Sequence, residues 1–116
     1  MLISQTKTEV KKSKFLGYLE KINSSYEIDN ILEHYRKQHK KANHICVGIL
    51  FGSYEKFYND KEVGQTGKIL LYLLRQNKLD SHILIVVRYF GGIKLGQGGV
   101  QRAFRECGKE LIEKFN

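Results

Sequence analysis

The chain contains no proline, only two cysteines and no long run of apolar residues. Without proline, its turns depend on glycine, asparagine, aspartate and serine. Cys46 and Cys107 are too few for a disulfide framework, and both stand in apolar patterns that predict buried thiols. No segment has the continuous apolar length that crosses a bilayer or forms the core of a signal peptide. We therefore expect a cytoplasmic protein with no membrane partner.

Acidic residues are scarce relative to basic ones. Twelve aspartates and glutamates stand against twenty lysines and arginines, which gives a formal net charge of +8. This surplus favours an acidic partner, which on charge alone is equally nucleic acid, an anionic membrane or an acidic protein surface. A chain of 116 residues predicts a single domain over residues 1–116, and its polar residues 1–10 predict a flexible N-terminal tail.

Glycine is concentrated in one stretch, residues 88–99, which we call the glycine loop. Five of the eleven glycines lie in it, between the most apolar segment (83–87) and an amphipathic helical pattern. An amide-rich loop that leads into a helix can hold an anion, and Arg88, Lys94 and Arg102 add positive charge. The alternative is a purely structural role in a tight turn and a close contact between helix and strand.

Apolar periodicity predicts the order strand, helix, strand, strand, helix, strand, helix. Ser24 and Glu27 have the spacing of a capping box and predict the start of the first helix. The segment 82–90 is apolar on both alternating faces, which indicates a central strand whose second face is also covered. The predicted strands are 14–22, 44–51, 54–58 and 82–90, and the predicted helices are 24–39, 68–77 and 98–114.

Six further residues are candidates for a catalytic, metal-binding or stacking role. Asp60 and Glu62 have the spacing of an acid and base pair, but a loop that also carries lysine favours solvated or ion-paired carboxylates. His44 and Cys46 share a strand face, yet a zinc site needs further ligands, and we predict no metal or cofactor. At the end of the central strand, Tyr89 is open to either packing or base stacking, whereas Phe90 is expected in the core.

We predict no catalytic residue and one nucleic-acid or anion site around the glycine loop. Its predicted members are Arg88, Tyr89, Gly91, Gly92, Lys94, Gly96, Gly98, Gly99, Arg102, Arg105 and, across the domain, Lys68.

The sequence from Tyr89 to Gly99, after Val86-Val87-Arg88, resembles the signature of the Impact family. Further matches are Lys12-Ser13-Lys14-Phe15, Ala42-x-His44-x-Cys46, and Asp60-x-Glu62 followed by Thr66-Gly67. Bacterial relatives usually continue into a smaller ferredoxin-like domain and eukaryotic relatives carry an RWD domain, neither of which we expect in these residues.

This resemblance implies an α+β fold, a two-layer sandwich of a four-stranded mixed or antiparallel sheet with helices on one face. Such a fold is similar to the second domain of ribosomal protein S-five. The resemblance also implies translation control without enzymatic activity, through binding of RNA, the ribosome or a ribosome-associated regulatory protein. Two other hypotheses remain open: a small hydrolase or phosphate-handling enzyme that uses the glycine loop, and a module that docks on a protein through an uncovered sheet face.

Overall fold

The computed structural model describes residues 1–60 and 64–115 and contains five strands and three helices within them. In chain order the elements are β1 (Leu2–Val10), β2 (Ser13–Lys21), α1 (Tyr26–Gln38), β3 (His44–Phe51), β4 (Tyr54–Tyr58), α2 (Thr66–Gln76), β5 (His82–Tyr89) and α3 (Gly96–Phe115). The α+β class is as predicted. Helices α2 and α3 each begin two residues before their predicted starts.

The sheet has the order β1-β2-β5-β3-β4, and every neighbouring pair is antiparallel. The predictions of four strands and of a flexible tail at residues 1–10 are therefore wrong, because this segment forms β1 and pairs with β2 along its length. An edge strand has one strand neighbour and needs few apolar residues. In β1 only Thr6 is buried, so the strand lacks the apolar alternation by which a sequence reveals a half-buried strand.

Both faces of the sheet are covered by helices. Leu84 and Val86 of β5 join a core with α2 and α3, whereas Ile83 and Ile85, which point to the opposite face, join a second core. That second core includes Leu32 of α1. The expectation of helices on one face is thus wrong, while β5 is central and buried on both faces, as its sequence predicts.

The start of α1 keeps part of the predicted capping box. The Glu27 carboxylate accepts the backbone N–H groups of Asn23 at 2.6 Å and Ser24 at 2.8 Å. The structural N-cap is Ser25, whose side chain makes no capping hydrogen bond. Within the capping box, the Glu27 side chain therefore caps the helix, without the serine hydroxyl that the pattern also predicts.

One end of the sheet, which we call the loop end, gathers the segments that matter for function. Here β5 ends, β2 and β3 begin, and Lys14 and His44 lie in register with Tyr89 and Arg88. No helix in the described part of the chain is long and apolar enough to cross a membrane. The expected similarity to ribosomal protein S-five stays a prediction.

Candidate functional site

The turn between β1 and β2 packs directly against the glycine loop. A Cβ atom on Gly91 would lie 2.0 Å from the carbonyl oxygen of Lys12, so only glycine fits at this position. The Gly91 N–H also donates to the Ser13 hydroxyl at 3.3 Å. The hairpin that the sequence analysis missed is therefore the support on which the glycine loop rests.

This hairpin turn adds two lysines to the site. Lys11 and Lys12 are exposed and adopt positive φ angles of 47° and 69°. Left-handed conformations are unfavourable for residues with a Cβ atom. The sequence offered one signal for this placement, the Lys12-Ser13-Lys14-Phe15 match, but without β1 nothing located it beside the loop.

The start of α2 lies at the same end as the start of α3. Thr66 in the first turn of α2 is 3.0 Å from the Cys46 sulfur of β3, and the Gly67 N–H donates to Asn59 Oδ1 at 2.7 Å. A Cβ on Gly64 would lie 2.2 Å from Gln101 Nε2 in α3. Both helices thus direct their positive N-terminal ends towards the loop end.

The three residues at the end of β5 that could contribute to binding, Arg88, Tyr89 and Phe90, differ in how exposed they are. Arg88 is buried, with its guanidinium carbon 5.6 Å from the Phe90 ring centre and 6.0 Å from that of Phe15. Tyr89 is half-buried, and its hydroxyl is 2.7 Å from His39 Nδ1. The side chain of Phe90 is 46% exposed, so the expected core position of Phe90 is wrong and the exposed aromatic of this strand end is the phenylalanine.

Four predicted basic residues are exposed and take part in no ion pair within the described residues: Lys68, Lys94, Arg102 and Arg105. They lie in different surroundings. Lys94 is in the loop itself. Arg102 lines a groove of about 400 Å³ between β1 and α3, which three glutamates also line. Lys11 and Lys109 line it as well, so three basic side chains balance the three glutamates and this β1–α3 groove has no surplus of positive charge.

Lys68 and Arg105 come together in a second groove, of about 450 Å³, between α2 and α3. None of the residues that line it, among those the structure describes, is acidic. The described residues that line it are Gln65, Lys68, Ile69, Tyr72, Leu73, Gln76, Arg105 and Lys109. The structure therefore separates these four basic residues into three places: Lys94 lies in the glycine loop, Arg102 lies near the glutamates, and Lys68 and Arg105 line the α2–α3 groove.

The residues with possible metal or catalytic chemistry have structural contacts. Asp60 accepts the Ile45 N–H at 3.0 Å, its carbonyl oxygen is 3.0 Å from His44 Nδ1, and Glu62 lies outside the described residues. Burial raises the pKa of the Cys107 thiol to about 12, which keeps it protonated and unreactive. Across residues 1–60 and 64–115, no group of three or more His, Cys, Asp and Glu side chains is placed to hold a metal ion.

Fold and site together define a class: a small α+β domain with a basic, glycine-rich end. The profile of the Impact N-terminal domain matches residues 11–112, and the chain belongs to the Impact family. The resemblance stated from the sequence is confirmed.

Curated relatives agree with this assignment. The chain is similar to the Impact family member YvyE of Bacillus subtilis, with 34% identity over 111 residues, covering 92% of this chain and 50% of that protein. It is also similar to YigZ of Escherichia coli, with 33% identity, covering 83% of this chain and 50% of that protein. The chain thus spans about half the length of these relatives.

Solved structures support the fold. A crystal structure of a protein described only as hypothetical matches with a TM-score of 0.89 and 29% identity, covering 96% of this chain and 57% of that one. The two-domain translational regulator Yih1 matches with a TM-score of 0.53 and 19% identity, covering 98% of this chain and 46% of that one. The second likeness shows the fold alone.

Proposed function

We propose that this Impact-family domain is a non-enzymatic regulator linked to translation, and that it binds RNA at the loop end of its sheet. The observation that carries the proposal is the convergence of uncommitted positive charge on one end of the fold. Lys94 is exposed there in the glycine loop and Lys12 beside it, and the N-terminal ends of two helices point the same way. Phosphate groups are the ligand class that such an end attracts.

The aromatic at the same end supports RNA over a simple anion. Phe90 is exposed within the glycine loop, and the buried guanidinium of Arg88 packs against its ring. Exposed aromatic rings stack on unpaired bases, which are the usual targets of proteins that recognise RNA. The link to translation rests on the family and on the structural neighbour described as a translational regulator.

Two alternatives have less support. A hydrolase would need a free base; of the two carboxylates expected for that role, Asp60 accepts the Ile45 N–H, and Glu62 lies outside the described residues. A protein-docking face would need an open side of the sheet, but α1 covers the face formed by β2, β5 and β3, where Ile49 and Ile83 are fully buried. Of the two alternatives, only the hydrolase would use the glycine loop.

The experiment is a titration of a fluorescent single-stranded RNA at several salt concentrations. The test variant is Lys12→Gln with Lys94→Gln, which removes two charges at the loop end. The matched control is Lys78→Gln with Lys21→Gln at the opposite end of the sheet. The pairs are comparable because all four lysines are exposed, and Lys12 and Lys78 both have positive φ.

We expect the loop pair to weaken binding and to lower the slope of log K against log salt by about 1.4, since each phosphate contact on a single strand contributes about 0.7. The control pair should leave that slope close to the wild-type value. Equal losses in both pairs would show that net charge, and not this site, attracts RNA. Absence of binding by the wild-type domain at low salt would refute the RNA proposal and favour a protein partner.

A further inference from the structure

The α2–α3 groove has a composition that no other requirement of the fold explains. Along α2, the groove residues Gln65, Lys68, Tyr72 and Gln76 recur at three- and four-residue spacing, so they form one stripe. Along α3, Arg105 and Lys109 are one turn apart and face that stripe. The tyrosine in the middle of the stripe is 53% exposed.

The floor of the groove is apolar, and the helices approach closely beneath it. Ile69 is half-buried and Leu73 is buried. A Cβ on Gly108 would lie 2.7 Å from Leu73 Cδ1, so the missing side chain lets α3 lie close to α2. The result is an apolar floor with basic and amide side chains along both walls.

The charges of this groove distinguish it from its neighbour. Lys68, Arg105 and Lys109 supply three positive charges, and within the described residues their one ion pair is the weak contact of Lys109 with Glu106 at 3.9 Å. The β1–α3 groove, which shares Lys109, balances three basic side chains against the carboxylates of Glu106, Glu110 and Glu113. Of these two grooves, the α2–α3 groove therefore has the charge that complements a chain of phosphates.

The groove also continues from the loop end. It begins at Gln65 and Lys68, at the start of α2, and the α2 backbone from Thr66 to Gln76 spans about 15 Å at 1.5 Å per residue. That length accommodates a short run of nucleotides.

We propose that the α2–α3 groove binds a single-stranded RNA segment, with a base stacked on Tyr72 and the adjoining phosphates held by Lys68 and Arg105. This inference rests on the proposed RNA-binding function and specifies the form of RNA and its path. A duplex keeps its bases stacked on each other, so it cannot present one to Tyr72. Stacking on an aromatic side chain tolerates any base, so the groove favours single strands without choosing a sequence.

The first test compares a single-stranded oligonucleotide with a duplex of the same sequence, using Tyr72→Leu and the control Tyr26→Leu. Both tyrosines are exposed on helices, and Tyr26 lies at the start of α1, away from the groove. We expect Tyr72→Leu to weaken single-strand binding about tenfold and duplex binding little, whereas Tyr26→Leu changes neither. Thermal melts confirm that both variants are folded.

A second measurement locates the RNA directly. A 4-thiouridine oligonucleotide is cross-linked to the wild-type domain, and the protein is digested with trypsin, which cuts after Lys68 and Arg75 and releases residues 69–75 with Tyr72. We expect the cross-link in this peptide. RNA binding that depends on Lys12 and Lys94, is unaffected by Tyr72→Leu and gives no cross-link in residues 69–75 would overturn the groove and leave the proposed function standing. No RNA binding at all would overturn both.

Discussion

At the scale of single residues, the glycines of the loop serve different purposes. Gly91 is required by contact, because the Lys12 carbonyl oxygen occupies the space of a side chain. Gly98, by contrast, lies in the first turn of α3 without a positive φ, and a Cβ atom placed on it would meet no other atom within 4 Å. The fold alone therefore explains the first glycine and not the second.

This difference gives a prediction for two single substitutions. Gly91→Ala should lower the free energy of unfolding by roughly 1–3 kcal/mol, since the backbone it meets cannot move aside cheaply. Gly98→Ala should raise it by about 0.5 kcal/mol, because alanine favours helix. Urea denaturation of both variants checks the two signs, and similar effects at the two positions would contradict this account. If RNA approaches the start of α3, Gly98→Ala should also weaken RNA binding while it stabilises the fold.

The same scale shows where prediction from sequence fails. A strand that is buried on both faces was recognisable, but the exposure of Phe90 was not, because it lies one residue beyond the end of β5. The apolar pattern of residues 82–90 does not show at which residue the backbone leaves the sheet. Once the chain turns at Phe90, whose N–H donates to Asn43 Oδ1, its side chain no longer follows the alternation.

At the scale of elements, β1 and its hairpin turn connect the fold to the site. Strand β1 was not predictable from apolar alternation, and its absence from the predicted sheet removed the hairpin as well. The turn is built from two lysines with positive φ, an arrangement that type I′ hairpins usually make with Asn-Gly. The strained lysines are understandable if their charge is needed at the loop end.

Replacing the turn by Lys11→Asn with Lys12→Gly should therefore separate stability from function. We expect the free energy of unfolding to rise by about 1 kcal/mol or more, because the strain of two left-handed lysines is relieved. RNA affinity should fall, because two exposed charges beside Gly91 are lost. Denaturation and RNA titration of the same variant measure both effects. A variant that is more stable and binds RNA as tightly as the wild type would show that the lysines do not serve binding.

At the scale of the whole molecule, the family, the α+β class and the central strand were predictable, whereas the number of strands and the placement of helices were not. The pattern of α1 predicts an apolar stripe but does not state which face of the sheet it covers. The composition of the α2–α3 groove also depends on contact between segments that are far apart in the sequence. Lys68 and Arg105 are 37 residues apart in sequence and share a groove only because α2 packs on α3. Both were predicted in one site at the glycine loop, but spacing along the chain could not show that they meet in a groove between two helices.

The position of α1 on the second face also creates a buried polar connection across the molecule. His39, just after α1, lies between two tyrosine hydroxyls, with Nε2 2.8 Å from Tyr18 Oη of β2 and Nδ1 2.7 Å from Tyr89 Oη of β5. A neutral imidazole satisfies both, since one nitrogen donates and the other accepts. Burial, and to a lesser degree the nearby His34, lower the pKa of His39.

The stability of the whole domain should therefore depend on pH in two separate steps on the acid side. Because the pKa of His39 is lowered in the folded state, the unfolded chain binds the proton more readily, and stability falls as the pH drops below about 6.5. A second loss of stability should follow as the pH falls below about 4.3, the ordinary pKa of a glutamate. Three glutamates have lowered pKa values in the folded state: Glu27 through the Asn23 and Ser24 N–H groups, Glu33 through Lys37, and Glu55 through Arg75. The unfolded chain therefore takes up these protons first, which lowers stability.

Urea denaturation from about pH 3 to about pH 8 spans both steps. In His39→Gln the upper step should disappear while the lower one remains, since glutamine can still donate and accept a hydrogen bond but does not titrate; an unchanged upper step in that variant would assign it to another group.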